Sequence, residues 1–230
     1  MKIQFDPASP EAELMRQRYL KVDAATVSDV LDTLGYQHQG LAGTFAPYPE
    51  TAGKLAGWAY TICGGMRPYA GGGDADKMKA VDSLKPGCVS VWSGPGDGVC
   101  FFGELIALGM KTHGATGALV DGGIRDIEWI ARQKFPVYAR YRTPVQSIGR
   151  WKVTAWQVPA YLPGATKQHV IVNPGDFVLG DTDGVVIVPA DVVEKVLNEA
   201  ERLTATEVKI RAELDAGATL EQVLAKYGHV

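Results

Sequence analysis

The chain has 230 residues, 46% of them hydrophobic and 21% charged, with a formal net charge of -3. That length and apolar content supply one sizeable core, and the near-balanced charge excludes a basic field for nucleic acid or anionic lipid. No stretch approaches the ~18 uninterrupted apolar residues of a membrane span, and residues 1–14 lack a basic-then-apolar leader; the expectation is a cytoplasmic chain with no nucleic-acid or membrane partner. Cys63, Cys88 and Cys100 are odd in number and form no CxxC pair, which argues against a disulfide scaffold or a cysteine zinc site. Glycine is abundant, at 27 residues, where ~7% is usual. Such excess marks tight turns and close backbone approaches, the places where ligands sit.

In chain order, residues 11–21 read as a helix, with Leu14, Tyr19 and Leu20 among charges. A second helix follows over 26–35, where Val27, Val30, Leu31 and Leu34 recur at helical spacing and Gly35 is placed to end it. Segment 36–53 reads as loop, 54–62 as a strand, 74–84 as a helix and 88–92 as a buried strand. After the glycine-rich loop 93–98 comes a helix over 103–113, a short strand at 118–120, a turn at Asp121-Gly122-Gly123, a helix over 125–133 and a strand over 137–141. This alternation with short loops predicts parallel βαβ units. From Trp151 the chain is strand-rich, with Pro-Gly-Asp and Asp-Gly turns between apolar runs up to Pro189. A long charged amphipathic helix over 191–216 and a short one over 220–227 close it. The expectation is one α/β domain over 1–230: a helical arm about 1–35, a core about 54–189 and C-terminal helices about 191–227.

In an α/β sheet ligands gather at the carboxyl ends of strands, where loops hand over to helix N-termini. Two such junctions stand about twenty residues apart. At the first, Gly103-Glu104-Leu105-Ile106 offers the free N–H groups of an opening helical turn to a carboxylate or phosphate. At the second, Arg125 presents a planar fork for a carboxylate or oxyanion. Asp126 and Glu104 are hard oxygen donors of the kind Mg²⁺ or Mn²⁺ accepts. Taken singly, each has a plainer reading: Asp126 as an N-cap, Glu104 as a helix-dipole partner, Arg125 as half of a surface ion pair. Their joint placement points to a chelating 2-oxo acid. Other patterns are weaker. Gly71-Gly72-Gly73-Asp74 lacks the Lys-Ser/Thr of a P-loop, and the alternating Gly94, Gly96 and Gly98 have no dinucleotide frame. His38, His113, His169 and His229 are scattered, no GxSxG elbow occurs, and Asp181 and Asp183 read first as turn residues.

Three segments together carry a resemblance: TVSDVLDTLG (26–35), GELIALGMKTHGATGALVDGGIRD (103–126) and PGDFVLGDTDGVVIVP (174–189). With these the chain resembles the RraA-like superfamily over most of residues 25–212. That superfamily holds the class II pyruvate aldolases that cleave 4-hydroxy-4-methyl-2-oxoglutarate and 4-carboxy-4-hydroxy-2-oxoadipate, the regulators of ribonuclease activity, and members misnamed as menaquinone methyltransferases. The resemblance implies an α/β/β-sandwich with a swivelling-domain-like core, assembled as a homotrimer or homohexamer with sites between subunits. It implies a divalent-metal-dependent lyase that releases pyruvate by retro-aldol chemistry, with oxaloacetate decarboxylation as a side activity. Pyruvate would lie on the backbone of Gly103, Glu104, Leu105 and Ile106 and on Arg125; Asp126 would bind Mg²⁺ or Mn²⁺; Glu104 would hold water beside the metal; and Glu207 is the best match for an acid supplied by a neighbour's C-terminal helix. A different metal-dependent lyase or hydrolase, or a non-enzymatic ribonuclease regulator, are the alternatives. The chain departs from the family in a longer segment at 155–173, containing Tyr161, Lys167, Gln168 and His169, and in its glycine-rich 63–77 stretch, both expected to reshape the pocket.

Overall fold

The computed structural model describes residues 6–228. Residues 1–5 of the expected N-terminal arm, and His229, lie outside them. In chain order the elements are α1 (Pro10–Tyr19), α2 (Ala24–Thr33), β1 (Ala46–Tyr48), β2 (Leu55–Met66), α3 (Ala75–Asp82), β3 (Cys88–Ser93), β4 (Cys100–Phe102), α4 (Glu104–Thr112), β5 (Gly117–Ile124), α5 (Ile127–Gln133) and β6 (Val137–Arg142). There follow β7 (Trp151–Trp156), β8 (Ala160–Pro163), β9 (His169–Val172), β10 (Phe177–Asp181), β11 (Gly184–Val188), α6 (Val193–Asp215) and α7 (Leu220–Tyr227).

The nine-stranded sheet runs β1-β6-β5-β3-β2-β10-β11, with β4 pairing β5 and β7 pairing β2. Its centre is parallel: β2 with β3, β3 with β5, β5 with β6 and β4 with β5. The crossovers through α3, α4 and α5 are the expected βαβ units. Strands β3 and β5 are buried at every residue, as a parallel strand covered on both faces must be. One face carries the helices, over a core that includes Trp58, Trp92, Phe102, Phe177 and Leu197. The other packs Leu55, Val89, Leu119 and Ile187 against Leu162, Val170 and Val172 of the β8–β9 hairpin. These three layers form an α/β/β sandwich with helices at both ends of the chain.

Three local expectations are corrected. Asp121-Gly122-Gly123 is not a turn but the interior of β5. A Cβ on Gly122 would stand 2.2 Å from the Phe101 ring, and one on Gly123 would stand 2.5 Å from Tyr141 and 2.6 Å from the Val99 carbonyl. The glycines therefore serve close approach between strands rather than a reversal. Segment 36–53 contains β1, paired antiparallel with β6. The 155–173 segment builds the outer hairpin and lines neither cavity described below. Asp181 is the turn residue it resembles: its carboxylate accepts from the Asp183 N–H at 3.0 Å and the Ala24 N–H at 2.8 Å, tying the β10–β11 turn to the start of α2.

Candidate active site

Parallel pairing of β4 with β5 sets Phe102 beside Ile124, so both strands end at the same edge. The junction to α4 begins at Gly103, and the junction to α5 begins at Arg125-Asp126. Arg125 N–H donates to the Phe102 carbonyl at 3.2 Å, pinning the two junctions together. Gly103 is extended (φ -155, ψ -173) and occupies the N-cap of α4 without a capping side chain, so the Leu105 and Ile106 N–H groups of the first turn have no capping acceptor.

Asp126 stands at the N-cap of α5 but makes no side-chain cap bond, and its backbone is left-handed, with φ 61 and ψ 37. That conformation costs a non-glycine residue energy, though aspartate tolerates it better than most. It turns the carboxylate away from its own helix. Oδ2 instead lies 3.4 Å from the Glu104 N–H at the mouth of α4 and 3.5 Å from Arg125 Nε. The plain N-cap reading of Asp126 is thereby excluded. The Arg125 and Asp126 side chains remain 42% and 40% exposed, so the pair is open to a ligand. Their mutual attraction at such exposure contributes little stability.

Openings flank the pair. On one side a cavity of about 260 Å³ is walled by Tyr69, Lys77, Met78, Gly103, Ser147 and Ile148, among others. On the other a broad cleft of about 620 Å³ runs past Arg142, Thr143 and Pro144. Arg125 and Asp126 line both, and Leu105 and Ile106 line the smaller one. The sequence-predicted Gly103, Leu105, Ile106, Arg125 and Asp126 are thus brought together.

The other two predicted acids line neither opening. Glu104 lies at the mouth of α4, but its Oε1 accepts from Gln133 Nε2 at 3.0 Å and it lines neither opening. Glu207 lies on α6, paired with Arg211 at 2.7 Å, on a helix that packs with α1, α2 and α7; it too lines neither opening. The sequence reading missed Lys77. It falls on the apolar face of its helix, in register with Ala80, Val81 and Leu84, all buried. A lysine in such a stripe was the available signal.

Among the described residues no group of three or more His, Cys, Asp or Glu stands ready to hold a metal. A cage of protein ligands is therefore not what this site offers. What it offers is one hard carboxylate, released from capping, beside a ligand-sized opening. That donor set fits Mg²⁺ or Mn²⁺, which commonly take one or two carboxylates and fill their remaining positions with water and substrate.

Known proteins place this architecture. The RraA-like family (Aldolase/RraA) matches residues 24–187. A protein of Halalkalibacterium halodurans named "Putative 4-hydroxy-4-methyl-2-oxoglutarate aldolase" is 30% identical over 214 residues, covering 92% of this chain and 94% of that one. Protein DlpA of Legionella pneumophila is 28% identical over 213 residues; the match takes in 92% of this chain, which spans only 33% of DlpA. The crystal structure of Streptomyces coelicolor RraAS2, described as an unusual member of the RNase ES inhibitor RraA protein family, superposes with a TM-score of 0.74 at 25% identity, covering 87% of this chain and 98% of that one. With the β4–α4 and β5–α5 junctions both inside the matched region, the chain belongs to the RraA-like (Aldolase/RraA) family.

Proposed function

We propose that the chain is a divalent-metal-dependent lyase that cleaves a 4-hydroxy-2-oxo acid to pyruvate, with oxaloacetate decarboxylation as a side activity. The observation that carries this reading is the Asp126 carboxylate, turned from its own helix to the open N-terminus of α4 beside Arg125. The substrate carboxylate rests on the N–H groups of Leu105 and Ile106, where the helix dipole favours negative charge. Arg125 donates to the 2-oxo oxygen and strengthens that contact as enolate charge builds there. Asp126 holds Mg²⁺ or Mn²⁺, which when bound supplies Lewis acidity to the 2-oxo group.

The C4 hydroxyl proton passes to a base, the C3–C4 bond breaks, the C4 fragment leaves as a carbonyl compound, and the enolate of pyruvate takes a proton at C3. Glu104 is assigned to the water that accepts the hydroxyl proton. It must leave Gln133 to do so, or act through water from where it stands. Glu207 serves from a neighbouring subunit in a homotrimer or homohexamer, because in its own chain α6 lies with α1, α2 and α7. The likeness to RraAS2 supports a second reading, a non-enzymatic regulator of a protein partner.

Release of pyruvate from oxaloacetate and from 4-hydroxy-4-methyl-2-oxoglutarate, coupled to lactate dehydrogenase with Mg²⁺ or with EDTA, separates the two readings. The lyase requires enzyme-dependent pyruvate that EDTA removes and that Arg125→Ala and Asp126→Ala each reduce more than ~100-fold, the loss of a transition-state contact of ~3 kcal/mol. Wild-type protein that adds nothing to the spontaneous rate with either substrate contradicts it.

A further inference from the structure

Two side chains on the wall of the smaller cavity have no part in the proposed lyase. Lys77, on α3, is 7% exposed, and Ser147, in the turn that leads into β7, is 8% exposed; both line the cavity. Lys77 Nζ lies 3.5 Å from Ser147 Oγ and donates to the Phe101 carbonyl at 2.9 Å. Ser147 is fixed through its own carbonyl, which accepts from the Arg150 and Trp151 N–H groups at 2.9 Å each. Among the described residues its hydroxyl has no hydrogen-bond partner but Lys77.

Packing alone does not account for a lysine here. Asp74 spends its oxygens on the backbone N–H groups of Asp76, Lys77 and Val153, so no carboxylate contacts the ammonium, and such a cation is costly to bury. Burial lowers Lys77 to about 8, with Asp74 and Cys100 opposing that shift and Arg125 adding to it. The neutral amine is therefore within reach at mildly alkaline pH. In that form Nζ keeps an N–H on the Phe101 carbonyl and turns its lone pair to the Ser147 hydroxyl. A nucleophile, a base within hydrogen-bond reach of it and a third group that orients the base are the parts of a serine–lysine dyad. The 3.5 Å separation is long for that contact, as is common before a substrate is bound. Leu105 and Ile106, whose N–H groups have no capping acceptor, line the same cavity; such donors stabilise a carbonyl oxyanion.

We propose that Ser147 and Lys77 form a nucleophile–base dyad that hydrolyses short-chain carboxylic esters, an activity separate from the metal-dependent one. Ser147 Oγ attacks the ester carbonyl carbon as its proton passes to Lys77 Nζ, and the carbonyl oxygen becomes an oxyanion held by the Leu105 and Ile106 N–H groups. The bond from the acyl carbon to the alcohol oxygen breaks, Lys77 gives the proton to the leaving alkoxide, and an acyl-Ser147 remains. Water then attacks the acyl carbon and gives a proton to Lys77; the bond to Ser147 Oγ breaks, the acid departs, and Oγ takes that proton back. The Trp92 and Trp151 rings, with centres 5.8 Å and 5.3 Å from Nζ, stabilise the ammonium formed in each attack. Tyr69, Met78 and Ile148 on the wall of this cavity of about 260 Å³ suit a short acyl chain.

The test is made in EDTA, so that metal chemistry contributes nothing. Wild-type protein is treated with a fluorophosphonate and, separately, with p-nitrophenyl acetate, and the adduct is located by peptide mass spectrometry. The expected result is a phosphonyl or acetyl adduct on Ser147, absent from Ser147→Ala and formed at least ~100-fold more slowly by Lys77→Met. Its rate should fall as pH drops through about 8, since only the neutral amine accepts the proton. Wild-type protein that carries no adduct on Ser147 above that pH overturns the proposal even if Lys77→Met fails to fold; so does an adduct that Lys77→Met forms at the wild-type rate. An unlabelled Ser147 in a protein that releases pyruvate removes the dyad alone, and a labelled Ser147 in a protein that releases none removes the lyase alone.

Discussion

Replacing Gly103 with alanine separates the site from the fold. The backbone at Gly103 is extended, a conformation any residue adopts, so alanine introduces no φ strain. Its Cβ would nevertheless stand 2.8 Å from Asp126 Oδ2 and 3.4 Å from Arg125 Cγ. An ordinary carbon–oxygen contact is several tenths of an ångström longer, so the carboxylate must retreat by ~0.5 Å, since the atom pressed is the free end of a side chain and the rest of the neighbourhood can stay put. For stability that retreat is cheap, within ~0.5 kcal/mol of wild type. For function it is not, because metal–ligand distances tolerate only ~0.2 Å and a misplacement of ~1 Å costs about 10²-fold. The expected result is a 10- to 100-fold fall in kcat/KM for pyruvate release, or about 1.4–2.7 kcal/mol, with thermal unfolding nearly unchanged. A Gly103→Ala enzyme with full activity would refute the idea that the Asp126 carboxylate works from its position against α4.

Three further outcomes follow from the same contacts. Asp126→Gly relieves the left-handed backbone and should keep or raise the melting temperature while abolishing pyruvate release, an opposition of stability and activity; melting and coupled turnover on one sample test it. Asp74→Ala removes an acceptor shared by the first turn of α3 and by Val153 of β7, and should lower unfolding free energy by ~2–4 kcal/mol in urea; a loss below ~1 kcal/mol would contradict that anchoring role. Because burial depresses Lys77 to about 8 from its ordinary 10.5, the unfolded chain binds more protons between those values, and stability from this group should rise with pH across that window by up to ~3 kcal/mol. Asp74, Cys100 and Arg125 are the charged and titratable groups that act on it. The difference in urea midpoint between wild type and Lys77→Met should therefore shrink from pH 7 to pH 10, the variant being the more stable at pH 7; a constant difference would sink the argument.

What the sequence discloses is set by how local each signal is. Apolar spacing located α2, α4 and α6 to within a few residues because each helix buries one stripe against the sheet. Asp121-Gly122-Gly123 misled because glycine marks both a turn and a close approach, and only the Phe101 and Tyr141 rings across the strands distinguish the two. The 155–173 segment gave no hint that it would close the second layer, since its two strands are four residues each and mean little without the face they cover. Gly103, Arg125 and Asp126 were legible because each sits at a strand–helix junction. Lys77 was not, because it reaches the site only when α3 packs beside β7 and α4. Nor does spacing reveal that Glu104 is held by Gln133, seven residues beyond Asp126 on the next helix.

We propose that the Asp126 carboxylate and the Arg125 guanidinium, set against the mouth of α4, form a seat for a divalent cation and pyruvate. Its most direct test is an anomalous difference map from crystals soaked with Mn²⁺ and pyruvate. The expected result is a peak at bonding distance from Asp126, with the pyruvate carboxylate on the Leu105 and Ile106 N–H groups and its 2-oxo oxygen facing Arg125. A peak elsewhere, or pyruvate bound away from that helix, would contradict it.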